Sequence, residues 1–278
     1  MHDLVLDLAL DISKGNCLTL TLIAGEVNCH SEVQHLPLGL RGETSFEIPK
    51  ESVGKLRTLF LNVNLPKNIA EVEWMRALSL ELYHVKELPN SNSKFTHLRY
   101  LDLSRSYFEK LPNFITKLYN LQTLRLPSVN HLKKLSKNFY KLVSLRHFDI
   151  DYTKDKFMPM KLGQLTSLQT LPYFVVGENR GHKIEELGGL SNLRGKLMIY
   201  NLQHVKDMKQ AEKANILGKP NICELGFHWD KDRRESNIDE LHLSTADINH
   251  ESVLEGLKPF SNLKGLILDN FKGRSFAL

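Results

Sequence analysis

The stretch Leu98-Arg99-Tyr100-Leu101-Asp102-Leu103 decides the fold, because its leucines form a Leu-x-x-Leu-x-Leu phrase that returns along the chain. The next phrases begin at Leu121, Leu145 and Leu168, at intervals of 23, 24 and 23 residues. Ten such phrases can be aligned, and the remaining ones begin at Val33, Leu56, Met75, Leu193, Ile222 and Leu263.

The spacing of three and then two residues points the leucines of one phrase to the same side of a short strand. A single repeat of this size cannot enclose those side chains, so neighbouring repeats have to stack and share a continuous core. A period of about 23 residues with this lettering predicts an α/β fold, the leucine-rich repeat solenoid. Its curved parallel β-sheet would form the concave face, and short helices and loops the convex face.

The composition places limits on function. The net charge is +5, with 37 basic residues interleaved among 32 acidic ones, so no basic stripe indicates nucleic acid. No apolar run approaches the roughly 18 residues needed for a membrane span, and the acidic first residues do not resemble a signal peptide. The three cysteines lack disulfide or metal spacing, and no Asn-x-Ser/Thr site occurs. We therefore expect a cytoplasmic protein.

Two regions are expected along the chain. Residues 1–32 contain an amphipathic helix, Met1 to Ile12, and a strand near Leu18 to Ala24, and residues 33–278 form the repeat domain. The repeats lengthen after residue 177, and we expect the array to be truncated at its C-terminal end. Helices are predicted at Asp207–Leu217, with Asp207 as the N-cap and Gly218 as the stop, and near His250–Leu257.

No constellation of residues predicts catalysis or metal binding. A Gly-x-Ser-x-Gly elbow and a nucleophile placed beside a base are both absent. The best metal candidate, Cys29-His30 with His35, has no recognised ligand spacing. The sequence therefore predicts that the chain is not an enzyme, with no catalytic residue and no metal site.

Binding residues are expected between the repeat leucines, because side chains alternate along a strand and these positions face the concave surface. Arginine and aromatic residues, which carry much of the binding energy in protein interfaces, are frequent there. A solubilising role for the same side chains is the alternative. The predicted protein-binding residues of the concave face are Arg76, Arg99, Tyr100, Asp102, Arg125, Arg146, His147 and Asp149.

Several segments resemble plant intracellular immune receptors of the coiled-coil, nucleotide-binding, leucine-rich-repeat type. The opening Met1-His2-Asp3 and the helix after it resemble the methionine-histidine-aspartate motif that closes their nucleotide-binding region. Repeat segments similar to the same family are Leu98–Ser104, Asn120–Leu124, Leu168–Gly177, Asn201–Val205 and Ala214–Leu217. The resemblance implies that residues 1–32 are the end of a nucleotide-binding region.

The resemblance also implies a nucleotide-sensing role for His2, but only together with a nucleotide-binding domain. The chain has no Gly-x-x-x-x-Gly-Lys-Ser/Thr phosphate loop, since the nearest string, Gly177 to Lys183, has the wrong spacing. We therefore expect no cofactor on this chain, and ADP or ATP only in a full-length parent.

The function implied by the resemblance is protein recognition and autoinhibition in plant disease resistance. Partners would be a pathogen effector, a guarded host protein or the receptor's own nucleotide-binding region. Alternative interpretations are an extracellular repeat ectodomain, a generic intracellular repeat scaffold, and a nucleotide-dependent switch whose phosphate loop would lie upstream.

Overall fold

The computed structural model describes residues 20–22, 34–40, 47–61, 66–80, 95–111, 113–129, 131–151, 158–179, 181–230, 249–259 and 263–273. The predicted helix from Met1 to Ile12, His2, the Cys29-His30 pair and most of the loop between residues 230 and 249 lie outside these residues. Of the predicted strand near Leu18 to Ala24, the described part is Leu20–Leu22, which is a strand. The domain boundary at residue 32 stays a prediction.

Short strands dominate the described part of the chain. Their bounds are β1 Leu20–Leu22, β2 His35–Leu40, β3 Thr58–Leu61, β4 Ala77–Leu80, β5 Tyr100–Asp102, β6 Thr123–Leu126, β7 His147–Ile150, β8 Tyr173–Val175, β9 Gly195–Tyr200, β10 Ile222–His228 and β11 Gly265–Asp269. One sheet has the order β1 to β7, and a second has the order β11-β10-β9-β8. Neighbouring strands from β1 to β6 and from β8 to β11 are parallel.

The chain divides into two compact units. The first comprises residues 1–136 with 149–151, and the second comprises residues 137–148 with 152–278. In the first unit, strand register pairs equivalent leucines of successive repeats: Leu59 with Leu78, Leu78 with Leu101, and Leu101 with Leu124. None of these four leucines is more than 3% exposed. The leucine phrase therefore forms a shared core, and the leucine-rich repeat fold is confirmed.

The connections between strands are short turns, many of them 3₁₀. These 3₁₀ segments are Ile69–Glu71, Asn113–Lys117, Phe139–Lys141, Leu162–Gln164, Ile184–Gly189 and Leu202–His204. Each is short, which is usual for 3₁₀ structure. Buried side chains such as Phe114, Ile115 and Phe139 fix these segments over the core.

Three α-helices lie in the described residues: α1 Lys50–Val53, α2 Met208–Glu212 and α3 Asn249–Gly256. The N-cap of α2 is as predicted, because the Asp207 carboxylate accepts from the Gln210 N–H at 2.8 Å. The predicted end at Leu217 is wrong, since the helix stops at Glu212 and the left-handed residue after it is Asn215, with φ 49°, rather than Gly218. Lys219 Nζ binds the freed Ala214 and Asn215 carbonyls, both at 2.9 Å. Helix α3 confirms the helix predicted near His250.

The phrase beginning at Leu168 departs from the prediction. Thr170 forms an isolated bridge to His147, and the strand of this repeat begins only at Tyr173, in the second sheet. Pro172 lies between them and has no N–H to donate to a ladder. Leu168, Leu171 and Tyr173 are nonetheless buried as predicted.

Candidate protein-recognition surface

The outward positions of the first unit are ordered by the strand ladder. The Arg76 N–H donates to the Arg57 carbonyl at 2.7 Å, and the Arg99 N–H donates to the Arg76 carbonyl at 2.8 Å. Both bonds join residues that directly follow the first apolar position of a phrase. Arginines at equivalent positions are thus placed on successive repeats, and we call Arg57, Arg76 and Arg99 the arginine row.

Arg76 and Arg99 are exposed, and neither guanidinium has a hydrogen-bond or ion-pair partner among the residues that the structure describes. Arg57 is different, because its Nη1 approaches the Gly54 and Leu56 carbonyls at 3.3 and 3.4 Å. Its guanidinium also lies 5.8 Å from the centre of the Trp74 ring. Within the described ranges, two cations of the row therefore have no partner in the chain and could bind a ligand.

Trp74 borders the arginine row and was missed in the sequence. Its side chain is 49% exposed, and its ring stacks on His97 with centroids 4.7 Å apart and an interplanar angle of 16°. Trp74 and His97 each lie two residues before an arginine of the row, directly before the phrase begins. That shared spacing is the signal that could have identified them. Cation–π contact and stacking hold the indole in a defined orientation.

Arg125 organises the adjacent part of the same face. Its Nη1 donates to Asp102 Oδ2 at 3.1 Å, and its Nε donates to Asp149 Oδ2 at 3.0 Å. The Tyr100 hydroxyl donates to the same Asp102 oxygen at 3.1 Å. Burial raises the pKa of Tyr100, and the Asp102 charge adds to this increase. We call Tyr100, Asp102, Arg125 and Asp149 the Arg125 cluster.

Asp102 corrects the sequence-based expectation of an exposed stripe. The residue is 7% exposed, and its second carboxylate oxygen accepts from the Ser104 N–H at 2.9 Å and from the Ser104 hydroxyl. The guanidinium on the next strand covers it, and cross-strand pairs of this kind depend on register. Asp102 therefore positions Arg125, while the exposed edge of the cluster is Asp149.

The last two predicted residues of the surface, Arg146 and His147, belong to the second unit. Arg146 is exposed, whereas His147 is half-buried with its Nδ1 3.1 Å from Thr170 Oγ1. Burial lowers the pKa of His147, and the charges of Arg194 and Arg146 lower it further. His147 is consequently expected to be neutral near pH 7 and to act through hydrogen bonds.

Comparison with known proteins identifies the repeats. A family model described as "leucine-rich repeat region" matches residues 90–270. The chain belongs to this leucine-rich repeat family. The plant peptide hormone receptor RGFR1, solved in complex with RGF2, is similar to this leucine-rich repeat chain over 77% of its length with a TM-score of 0.50 and 19% identity, and 34% of the receptor chain is covered. That likeness supports the fold alone.

Relatives of this leucine-rich repeat chain are plant disease resistance proteins. A disease resistance protein of Arabidopsis thaliana is 40% identical over 213 residues, covering 77% of this chain and 13% of the relative. The disease resistance protein RGA2 of Solanum bulbocastanum is 37% identical over 105 residues, covering 38% of this chain and 10% of the relative. The chain thus spans only about a tenth of the length of these relatives.

Metal and nucleotide chemistry have little support in the described part of this leucine-rich repeat chain. No group of three or more His, Cys, Asp or Glu residues there could hold a metal ion. His35 is half-buried, and burial lowers its pKa. In the string from Gly177 to Lys183, the Gly177 N–H donates to the His182 carbonyl at 2.8 Å. The Gly177 amide is therefore already bound within the protein and is not available to bind a phosphate.

A cavity of about 300 Å³ in the second unit was not predicted from sequence. Its apolar wall includes Met158, Val175 and Val176, and its polar wall includes His182, Asn201 and His204. The His204 Nδ1 lies 3.4 Å from Glu178 Oε1, so the Glu178 carboxylate is already in contact with this imidazole ring. The volume is at the lower limit for small-molecule pockets.

No helix of the described residues is long and apolar enough to cross a membrane.

Proposed function

We propose that this chain is a non-enzymatic protein-recognition and autoinhibition module of a plant disease resistance protein, acting in the cytoplasm in the defence response. Its partner would be a pathogen effector, a guarded host protein or the receptor's own nucleotide-binding region. The proposal depends above all on one observation: two exposed arginines, without a partner among the described residues, lie at equivalent positions of neighbouring repeats, beside an exposed tryptophan. The homology to disease resistance proteins supports the biological setting.

The residue types on this face favour a protein ligand. Arginine, tryptophan and tyrosine are the side chains enriched among interface hot spots. These side chains lie on the repeat strands or just before them, so a partner would not have to order a long loop on binding. Stacked repeats are known to present extended binding surfaces of this kind.

Regulation would follow from a difference in affinity between two states. If the surface binds the receptor's own nucleotide-binding region in the resting state, a competing ligand shifts the population toward the active state. This chain would contribute binding energy and no chemistry. ADP or ATP would be bound in a full-length parent, without a direct contribution from the described residues.

The test is co-precipitation of the tagged 278-residue chain with the nucleotide-binding region of a full-length relative. The informative variant is Arg76→Ala with Arg99→Ala, since both side chains are exposed and have no partner in the described part of the chain. Lys117→Ala with Lys141→Ala is the matched control, because it removes two exposed positive charges from 3₁₀ segments outside the surface. We expect recovery to fall with the arginine variant and not with the lysine variant. Equal recovery of both would reject this surface as the recognition site.

A further inference from the structure

The chemistry of the partner can be inferred by comparing which arginines of the first unit have carboxylate partners in the protein. Arg125 has two carboxylates within 3.1 Å, so its charge is compensated inside the protein. Arg76 and Arg99 have none within the described ranges, although Asp102 lies on the strand next to β4. Asp102 is already engaged by Arg125, Tyr100 and Ser104. Among the residues that the structure describes, none therefore supplies an anion to Arg76 or Arg99.

We propose that the arginine row binds an acidic segment of a partner polypeptide, an inference that rests on the proposed protein-recognition function. The ligand would be an extended stretch in which Asp or Glu recurs at alternate positions. Guanidinium groups bind carboxylates in a two-pronged, charge-assisted geometry that is stronger than a neutral hydrogen bond. Trp74 would cover an apolar part of the same segment at the border of the row.

The spacing of the row fits this ligand. Adjacent strands of a sheet lie about 4.8 Å apart, so Arg76 and Arg99, which directly precede the neighbouring strands β4 and β5, are roughly 5 Å apart at the backbone. Alternate side chains of an extended peptide recur about every 7 Å. Two carboxylates of such a peptide therefore match the row, with the long arginine side chains taking up the difference.

A polypeptide fits better than a nucleic acid. Proteins that bind nucleic acid commonly neutralise about six to ten phosphates along a continuous basic surface. The row offers three arginines, and one of them, Arg57, is already in contact with Trp74 and two carbonyls. Acidic residues are interleaved throughout the chain, 32 of them against 37 basic ones, which disfavours an extended phosphate backbone.

The experiment measures fluorescence anisotropy of a fluorescein-labelled peptide in which Glu alternates with Ser, added to the full 278-residue chain. The wild-type chain should bind this peptide in a salt-dependent manner and should not bind the matched peptide with Gln in place of Glu. Arg76→Ala with Arg99→Ala should weaken binding by roughly tenfold or more, because charge-assisted hydrogen bonds are lost. Lys117→Ala with Lys141→Ala should leave it unchanged. Thermal unfolding of both variants should match the wild type.

Three results would overturn the proposal. The first is no binding of the Glu peptide, and the second is equal weakening of binding by the two double variants. The third is displacement of the labelled Glu peptide by an oligothymidine at a lower concentration than unlabelled Glu peptide requires. The function proposed above would survive any of these if co-precipitation still depended on Arg76 and Arg99. The opposite result is that the peptide binds through the arginine row while co-precipitation does not depend on Arg76 and Arg99. In that case the proposed binding of acidic peptides would be supported, and the proposed site for the nucleotide-binding region would be wrong.

Discussion

Arg125 and Asp102 are joined by a 3.1 Å ion pair although 23 residues separate them along the chain. The bond crosses from β6 to β5, and it covers a carboxylate whose side chain is only 9% exposed. The same guanidinium also reaches Asp149, whose side chain is 45% exposed. The two partners of one arginine therefore lie in very different environments.

Because of this difference, Arg125→Leu should lower the free energy of unfolding by about 2 kcal/mol, since it leaves the Asp102 charge buried without its cation. That figure lies below the range for a fully buried pair because 27% of the Arg125 side chain is exposed. Asp149→Asn is the control and should cost less than about 1 kcal/mol, as exposed ion pairs do. Urea unfolding of both variants measures the difference. Similar costs for the two would show that Asp102 is not held by Arg125.

Leu101→Ala should lower the free energy of unfolding by about 2–5 kcal/mol, because Leu101 lies between Leu78 and Leu124 in a shared core. The substitution removes buried methyl groups and leaves a cavity. Tyr119→Ala is the comparison, since that residue is 56% exposed and should have little effect. A cost for Leu101→Ala below about half a kcal/mol would mean that the repeat leucines are not close-packed.

Gly163→Ala should destabilise the second unit by about 1–3 kcal/mol. A Cβ at Gly163 would lie 2.6 Å from the Glu186 backbone carbonyl, where neighbouring 3₁₀ segments approach closely. Gly54 provides the matched control, because its φ is −75° and no atom would lie within 4 Å of the added Cβ. Gly54→Ala should be neutral or slightly stabilising. Thermal unfolding distinguishes them, and an unchanged Tm for Gly163→Ala would argue against this close approach.

Lys219 gives the stability a dependence on pH. The residue is fully buried, and burial lowers the pKa of its ammonium from 10.5 to about 8. Above about pH 8 the unfolded chain binds more protons than the folded one, so stability should rise with pH until about 10.5. Between about pH 7 and pH 9.5 this amounts to a gain of about 2 kcal/mol.

The measurement compares urea unfolding of the wild type and Lys219→Met at both pH values. The wild type should gain stability relative to the variant, because methionine of similar length does not titrate. Lys117→Met, which changes an exposed lysine, should keep the wild-type dependence. Parallel pH profiles for the wild type and Lys219→Met would show that Lys219 keeps its charge in the folded protein up to about pH 9.5.

The fold could be predicted from sequence because the leucine spacing reflects a single physical requirement. No repeat can bury its leucines alone, so neighbouring repeats have to stack. The exceptions have local causes. Pro172 interrupts the strand ladder after Thr170, and a helix that begins correctly at Asp207 ends early because Asn215 adopts a left-handed backbone and Lys219 binds the carbonyls. Where a helix ends therefore depends on contacts with side chains of residues farther along the chain.

The surface was predicted less completely. Arg76 and Arg99 are exposed as expected, although they lie one residue before β4 and β5 begin. Alternation along a strand correctly places Arg125 and Asp149 outward, but it cannot tell which charges compensate each other. That depends on the register between β5 and β6, which covers Asp102 with Arg125. Trp74 and His97 lie before the strands begin, outside the alternating positions, and so were missed. Whether the surface binds a partner stays a prediction.

The unequal pairing of the arginines also bears on how such a surface can diverge. A change at residue 102 or 125 leaves a charge on the neighbouring strand without its main counterpart, so we expect it to require a compensating second substitution. A change of the side chain at residue 76 or 99 breaks no bond among the described residues, so it requires no compensating substitution. New specificities can therefore arise by single substitutions at residues 76 and 99, while residues 102 and 125 are expected to change together.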